Sequence, residues 1–292
     1  MRKRDITHFG IKWNPFSPDV PPEALMKTPR SDFFCWRVEQ QLQEGGFILV
    51  SGDPGTGKSI LLRQLVHYLT RLPDVMVGVL TRPQSTVSDF YRELGQLFGV
   101  PMSTANKYGG FKALRERWQV HIETTMCRPV LLYDEAQLAN HAVLSELRLL
   151  TSTHFDSTSI LTVVLCGDER LLHRLRTQEL LPLESRIRFR VSMESAARDQ
   201  LALFIQHCLE CAGNPSLMTK TVIESLAEHA GGNYRTLTNI ANELLNAAIK
   251  KEAPNIDEKL FFETFAYPHA KTDASFLKKS EKNKIELKGK HL

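Results

Sequence analysis

Eight consecutive residues, Gly52-Asp53-Pro54-Gly55-Thr56-Gly57-Lys58-Ser59, have the types and spacing of a phosphate-binding loop: Gly, four residues, then Gly-Lys-Ser. The chemistry explains each type. Glycines let backbone N–H groups close around phosphates, and a helix N-terminus just beyond adds the positive end of its dipole. Lys58 would reach the β- and γ-phosphates of ATP, the Ser59 hydroxyl would hold Mg²⁺, and Ile60 would carry the cradle into the helix. Two carboxylates, Asp134 and Glu135, follow the apolar run Leu131-Leu132-Tyr133. An acid at the C-terminal edge of a parallel strand faces the ligand crevice. Asp134 would support Mg²⁺ together with Ser59, and Glu135 would polarise a water for attack on the γ-phosphate.

Three further stretches have chemistry to offer. Asp168, after the apolar run ending at Cys166-Gly167, faces two competing roles: a polar contact between the metal-bound acid and the attacking water, or the cap of the helix that follows it. In Glu184-Ser185-Arg186-Ile187-Arg188-Phe189-Arg190, a guanidinium could enter a neighbouring copy's nucleotide site and stabilise charge on the transferred phosphoryl group; Arg186 is the first choice and Arg188 the second. Arg235, in Gly231-Gly232-Asn233-Tyr234-Arg235, opens a helix and could reach the phosphates.

The elements that must position these groups alternate. Residues 46–50 predict a short buried strand and 60–66 a helix; strands follow at 74–80, 130–133, 160–165 and 189–191. Helical spacing marks 31–43, 85–98, 111–125, 140–151 and 170–178. Strands separated by helices imply a parallel five-stranded sheet covered on both faces. After residue 195 the strands stop, and 198–211, 219–229, 235–250 and 257–265 all read as helices. The expected organisation is an N-terminal arm and short helix (1–45), an α/β domain (46–195), a small all-α lid (196–267) and a flexible basic tail (268–292). The dense apolar stretch His8-Phe9-Gly10-Ile11-Lys12-Trp13-Asn14-Pro15-Phe16 is either a packed arm or part of a wall for the adenine base.

Bulk properties narrow the class. The chain of 292 residues has a net charge of +4, and the stretch from Lys271 onward, with seven Lys against three acids, accounts for that excess. The body is therefore near neutral, so any grip on nucleic acid must come from local patches. No apolar run has transmembrane length and the charged N-terminus leads into no signal core, so the expectation is a cytoplasmic protein without membrane contact. Five scattered cysteines are expected as reduced thiols; Cys208 and Cys211 form a CxxC with no partner pair at zinc spacing.

Taken together, these motifs resemble those of the AAA+ ATPases, over about residues 5–267. The resemblance maps the phosphate loop to Walker A, residues 131–135 to Walker B, Asp168 to sensor 1, Arg186 to the arginine finger and Arg235 to sensor 2. Asp168 departs from the neutral polar residue usual at sensor 1. Phe9-Gly10-Ile11 with Asn14-Pro15-Phe16, then Asp134-Glu135-Ala136-Gln137, then Gly231-Gly232-Asn233-Tyr234-Arg235 resemble the ExeA/TniB/TnsC group. Members of ExeA type carry a membrane segment and a cell-wall-binding domain after the lid; neither is read here. The resemblance therefore implies a regulator of DNA transposition that forms rings or filaments on duplex DNA with ATP and recruits a transposase, or also a targeting protein. The alternative is an ExeA-like ATPase in secretion or envelope assembly. In related regulators the stretch between the second and third strands lines the DNA channel. Here it holds Ser103, Thr104, Lys107, Lys112, Arg115 and Arg117, of which Thr104, Lys107 and Lys112 are the expected phosphate contacts. The tail is expected to dock a partner.

Overall fold

The computed structural model describes residues 7–101, 107–153 and 157–265. Five strands form one parallel sheet: β1 (Gly46–Gly52), β2 (Val75–Leu80), β3 (Arg128–Tyr133), β4 (Thr162–Gly167) and β5 (Ile187–Met193), in the order β2-β3-β4-β1-β5. The sequence dictates which strands lie inside. β1, β3 and β4 are continuous apolar runs and are buried almost throughout, as strands covered on both faces must be. β5 alternates half-buried apolar with exposed polar residues, which suits an edge.

The alternation along β1 divides the core. Phe47 and Leu49 point to one face, where they join Leu131, Tyr133, Val163 and Leu165. That face is covered by α3 (Val87–Leu97), α4 (Lys107–Thr125) and α5 (His141–Thr151), with Phe90, Leu94, Leu114, Trp118, Leu144 and Leu147 enclosed. Ile48 and Val50 point to the other face, onto α1 (Pro29–Leu42) and α2 (Lys58–Leu69) through Phe34, Val38, Leu61 and Leu65. Each such side chain contributes about 1.5–3 kcal/mol by leaving water. α1 begins with Pro29 at its first position and a reciprocal cap between Thr28 and Ser31. Two short helices, α6 (Glu169–Leu175) and α7 (Leu181–Glu184), lead from β4 to β5. Sequence pattern had not marked α7, nor the two-residue antiparallel ladder of Ser152–Thr153 with Thr158–Ser159; both are too short to show a period.

The chain clusters into two compact units. Residues 21–196 with 233–235 make the sheet unit; 7–20, 197–232 and 236–265 make a helical unit, built on α8 (Arg198–Ala212), α9 (Lys220–His229), most of α10 (Tyr234–Lys251) and α11 (Glu258–Phe265). The residues expected as one N-terminal block of 1–45 thus fall on both sides of this division. Within the helical unit, Phe9, Ile11 and Phe16 are buried, Lys12 N–H donates to Ala212 O at 2.7 Å, and Asn14 Nδ2 donates to Asn242 Oδ1 at 2.8 Å.

Candidate nucleotide site

The register of the sheet assembles the site. β1 pairs with β4 so that Ser51 lies beside Gly167, and β4 pairs with β3 so that Tyr133 lies beside Leu165. The phosphate loop after β1, the acids after β3 and Asp168 after β4 therefore emerge together at the C-terminal edge, where ligands bind in open parallel sheets.

The loop of residues 52–59 turns directly into α2, whose first residue is Lys58. The buried Lys58 ammonium donates to Gly52 O at 2.7 Å and Asp53 O at 2.9 Å, and Thr56 Oγ1 donates to Asp53 O at 2.8 Å. Ser59 Oγ donates to Asp134 Oδ2 at 3.2 Å across 75 positions of sequence. Asp134 Oδ1 accepts from Glu135 N–H at 2.9 Å. A hydroxyl and a carboxylate so placed are hard oxygen donors of the kind Mg²⁺ takes alongside phosphate oxygens and water, so the residues fit that ion. Glu135 is exposed, with φ 52° and ψ 36°, a left-handed backbone uncommon outside glycine.

Asp168 takes the capping geometry. Its Oδ1 accepts from Arg170 N–H at 3.0 Å, and its Oδ2 accepts from both Nε and Nη2 of the Arg170 guanidinium at 2.8 and 2.6 Å. The Arg170 hydrogen bonds hold the Asp168 carboxyl below the usual carboxylate range. Beneath the site, burial pushes the Cys166 thiol far up, with the Asp134 charge adding to the effect.

The start of α10 also reaches the loop. Asn233 Nδ2 donates to Pro54 O at 2.8 Å, Tyr234 N–H donates to Gly55 O at 2.9 Å, and Asn233 Oδ1 caps the helix by accepting from Arg235 N–H at 3.0 Å. Gly55 has φ +87°, and a Cβ there would lie 2.1 Å from Asn233 Oδ1, so only glycine fits. Arg235 itself is exposed. The sequence reading chose Arg235 from this stretch and passed over Asn233, although an Asn just before a helix is a cap signal.

The other expected residues lie elsewhere. Arg186 and Arg188 sit at the opposite end of β5 from the loop, since Phe47 pairs with Ile187 whereas Gly52 pairs with Met193. Arg186 donates to Pro182 O and Arg188 to the Glu44 carboxylate. Thr104 lies outside the described residues, as does the side chain of Lys107, whose backbone opens α4. Lys112 is exposed on α4, 3.6 Å from Glu116. Arg115, grouped with these cations by sequence, instead donates to Leu149 O at 2.9 Å, Leu150 O at 3.2 Å and Ser152 O, the last carbonyls around the end of α5. Among the described residues the five cysteines are free thiols. No helix among them is long and apolar enough to cross a membrane.

Comparison with known proteins fits this geometry. Residues 40–175 match the family model described as an AAA domain. Solved structures superpose more widely. Cdc6p from Pyrobaculum aerophilum matches with a TM-score of 0.67 at 15% identity, over 83% of this chain and 67% of that one. Drosophila ORC bound to DNA matches with a TM-score of 0.68 at 18% identity, over 94% and 70%. The fold is that of an AAA+ P-loop NTPase. General secretion pathway protein A of Aeromonas hydrophila is 29% identical over 253 residues, which is 85% of this chain and 45% of that protein. The chain thus spans a little under half the length of that relative.

Proposed function

We propose that this protein binds ATP with Mg²⁺ and hydrolyses it, and that it serves secretion or envelope assembly in the manner of ExeA-type ATPases. The observation that carries the first part is the 3.2 Å contact between Ser59 and Asp134, which joins the two expected metal ligands from loops 75 residues apart. Residues 52–60 would cradle the phosphates with their backbone N–H groups. Lys58, now satisfied by two loop carbonyls, would exchange them for phosphate oxygens. Mg²⁺ held by Ser59 and Asp134 would neutralise charge on the phosphates. Glu135 would accept the proton of the attacking water. In an assembly of copies, Arg186, or else Arg188, would reach the next copy's nucleotide, and Arg235 would contact the phosphates of its own chain. Asp168 serves as a helix cap here, which leaves little of its carboxylate for the water.

The secretion context is supported by the 29% identity to General secretion pathway protein A, which extends over both units. A second reading, an AAA+ regulator of transposition assembled on duplex DNA with a transposase as partner, draws support from fold neighbours whose structures contain DNA. Turnover measured with and without duplex DNA separates the two. Wild-type hydrolysis indifferent to DNA favours the secretion reading, and strong stimulation favours the regulator. In both, Lys58→Ala abolishes ATP binding, and Glu135→Gln abolishes turnover while ATP stays bound. Undiminished turnover in Glu135→Gln overturns the assignment of Glu135 as the base, and an absence of turnover in the wild-type protein overturns the ATPase reading.

A further inference from the structure

Gln137 lies two residues beyond Glu135 and is buried, although nothing in the reading of Walker B requires it. Its carboxamide uses both ends. Nε2 donates to Glu135 Oε2 at 2.5 Å, and Oε1 accepts from Asp168 N–H at 3.4 Å, at the corner where β4 becomes α6. The partners fix the orientation of the amide, because a carboxylate only accepts and a backbone N–H only donates. The Gln137 backbone is tied as well: its carbonyl accepts from Arg174 on α6. Room for the amide comes from Gly167. A Cβ at that position would lie 2.5 Å from Gln137 Oε1 and 2.8 Å from Leu171 Cδ2. Glycine at the end of β4 is thus needed for the close approach of this side chain.

The bond matters because of what it holds. Glu135 sits on a left-handed backbone at an exposed turn, and its side chain has several rotamers open to it. A general base must stand within hydrogen-bond reach of the water it activates, and a misplacement of one ångström is costly. One carboxylate oxygen of Glu135 engaged by a buried amide leaves the other directed by that anchor.

We infer that the Gln137 carboxamide is a positioning residue for hydrolysis, holding the Glu135 carboxylate against the corner between β4 and α6. This rests on the assignment of Glu135 as the base. The test is steady-state ATP hydrolysis by Gln137→Met, which keeps the length and loses both polar ends. Affinity for a fluorescent ATP analogue and the thermal midpoint are recorded beside it. The expected result is a kcat lower by about tenfold or more, with KM and nucleotide affinity within about twofold of wild type. Gly167→Ala pushes the same amide from the other side and gives the same selective loss, and in the double variant the two losses do not multiply. If Gln137→Met does not fold, Gly167→Ala alone decides by its split between kcat and KM. Wild-type kcat in these variants, or a loss of affinity parallel to the loss of kcat, overturns the inference. Glu135→Gln is the control. If it hydrolyses normally, the base assignment falls and the inference with it; if it is inactive while Gln137→Met turns over normally, only the inference falls.

Discussion

Asn233 offers the sharpest test of how the nucleotide loop is held. Its side chain does two things at once: Oδ1 caps α10 through Arg235 N–H, and Nδ2 donates to Pro54 O at the loop tip. Loss of an Asn cap to Ala costs about 1 kcal/mol, and a net hydrogen bond contributes about 0.5–1.5 kcal/mol, toward the low end for a partly exposed pair. Asn233→Ala should therefore destabilise the sheet unit by about 1.5–2 kcal/mol. Asn233→Asp keeps the acceptor and loses the donor, so it should lose only the second contribution. With a urea dependence of about 2 kcal/mol per molar, the Ala variant's midpoint falls by about 0.8–1 M, and the Asp variant's by less than half of that, at unchanged slope. The Tyr234 N–H bond to Gly55 O is a backbone contact and survives in both. A midpoint for Asn233→Ala within 0.2 M of wild type, as an order of magnitude for the error of such fits, refutes the reasoning. So does an Asp variant as unstable as the Ala variant, because the donor would then carry the whole effect.

Two other outcomes follow from the same coordinates. Arg115→Gln should lower stability by about 1–2 kcal/mol, since carbonyls at the end of α5 lose their donor, whereas Lys112→Ala, which breaks only an exposed pair with Glu116, should change it by less than about 0.5 kcal/mol; chemical denaturation distinguishes them. Asp168 has a carboxyl depressed below its ordinary 3.8 by Arg170, so its contribution is fully present above that value and is lost as pH falls through the lower folded value. Asp168→Asn, which keeps a cap, should therefore melt below wild type near neutral pH, and the gap should close in strong acid; a gap independent of pH would exclude the ion pair as its source.

How much of this was legible in the sequence depends on the range of the interaction. The phosphate loop, the strand-end acids and all five strands could be read because each is a local pattern: a motif of fixed spacing, or an apolar run of strand length between turn residues. The same local logic located nearly every long helix, to within a few residues at the ends. It gave no hint of α7, which has four residues and no period to detect. It assigned no task to Arg115, because a cation on an amphipathic helix looks solvated until the end of another helix is known to stand beside it. Asp168 showed both of its possible roles in sequence; Arg170, two positions on, is what engages its carboxylate, and that choice depends on a rotamer.

Gln137 illustrates the limit best. In sequence it is one polar residue after Asp134-Glu135-Ala136, with no spacing rule to give it a task. Its meaning comes from the sheet: β3 lies beside β4, so the turn after one strand meets the corner after the other, and a glycine at that corner leaves space for an amide. A hydrolytic site needs its base both free to meet water and fixed in direction. Glu135 is exposed at a turn and Gln137 is buried behind it, so the two requirements are divided between neighbouring residues of one loop. That division depends on strand order, which no local pattern encodes.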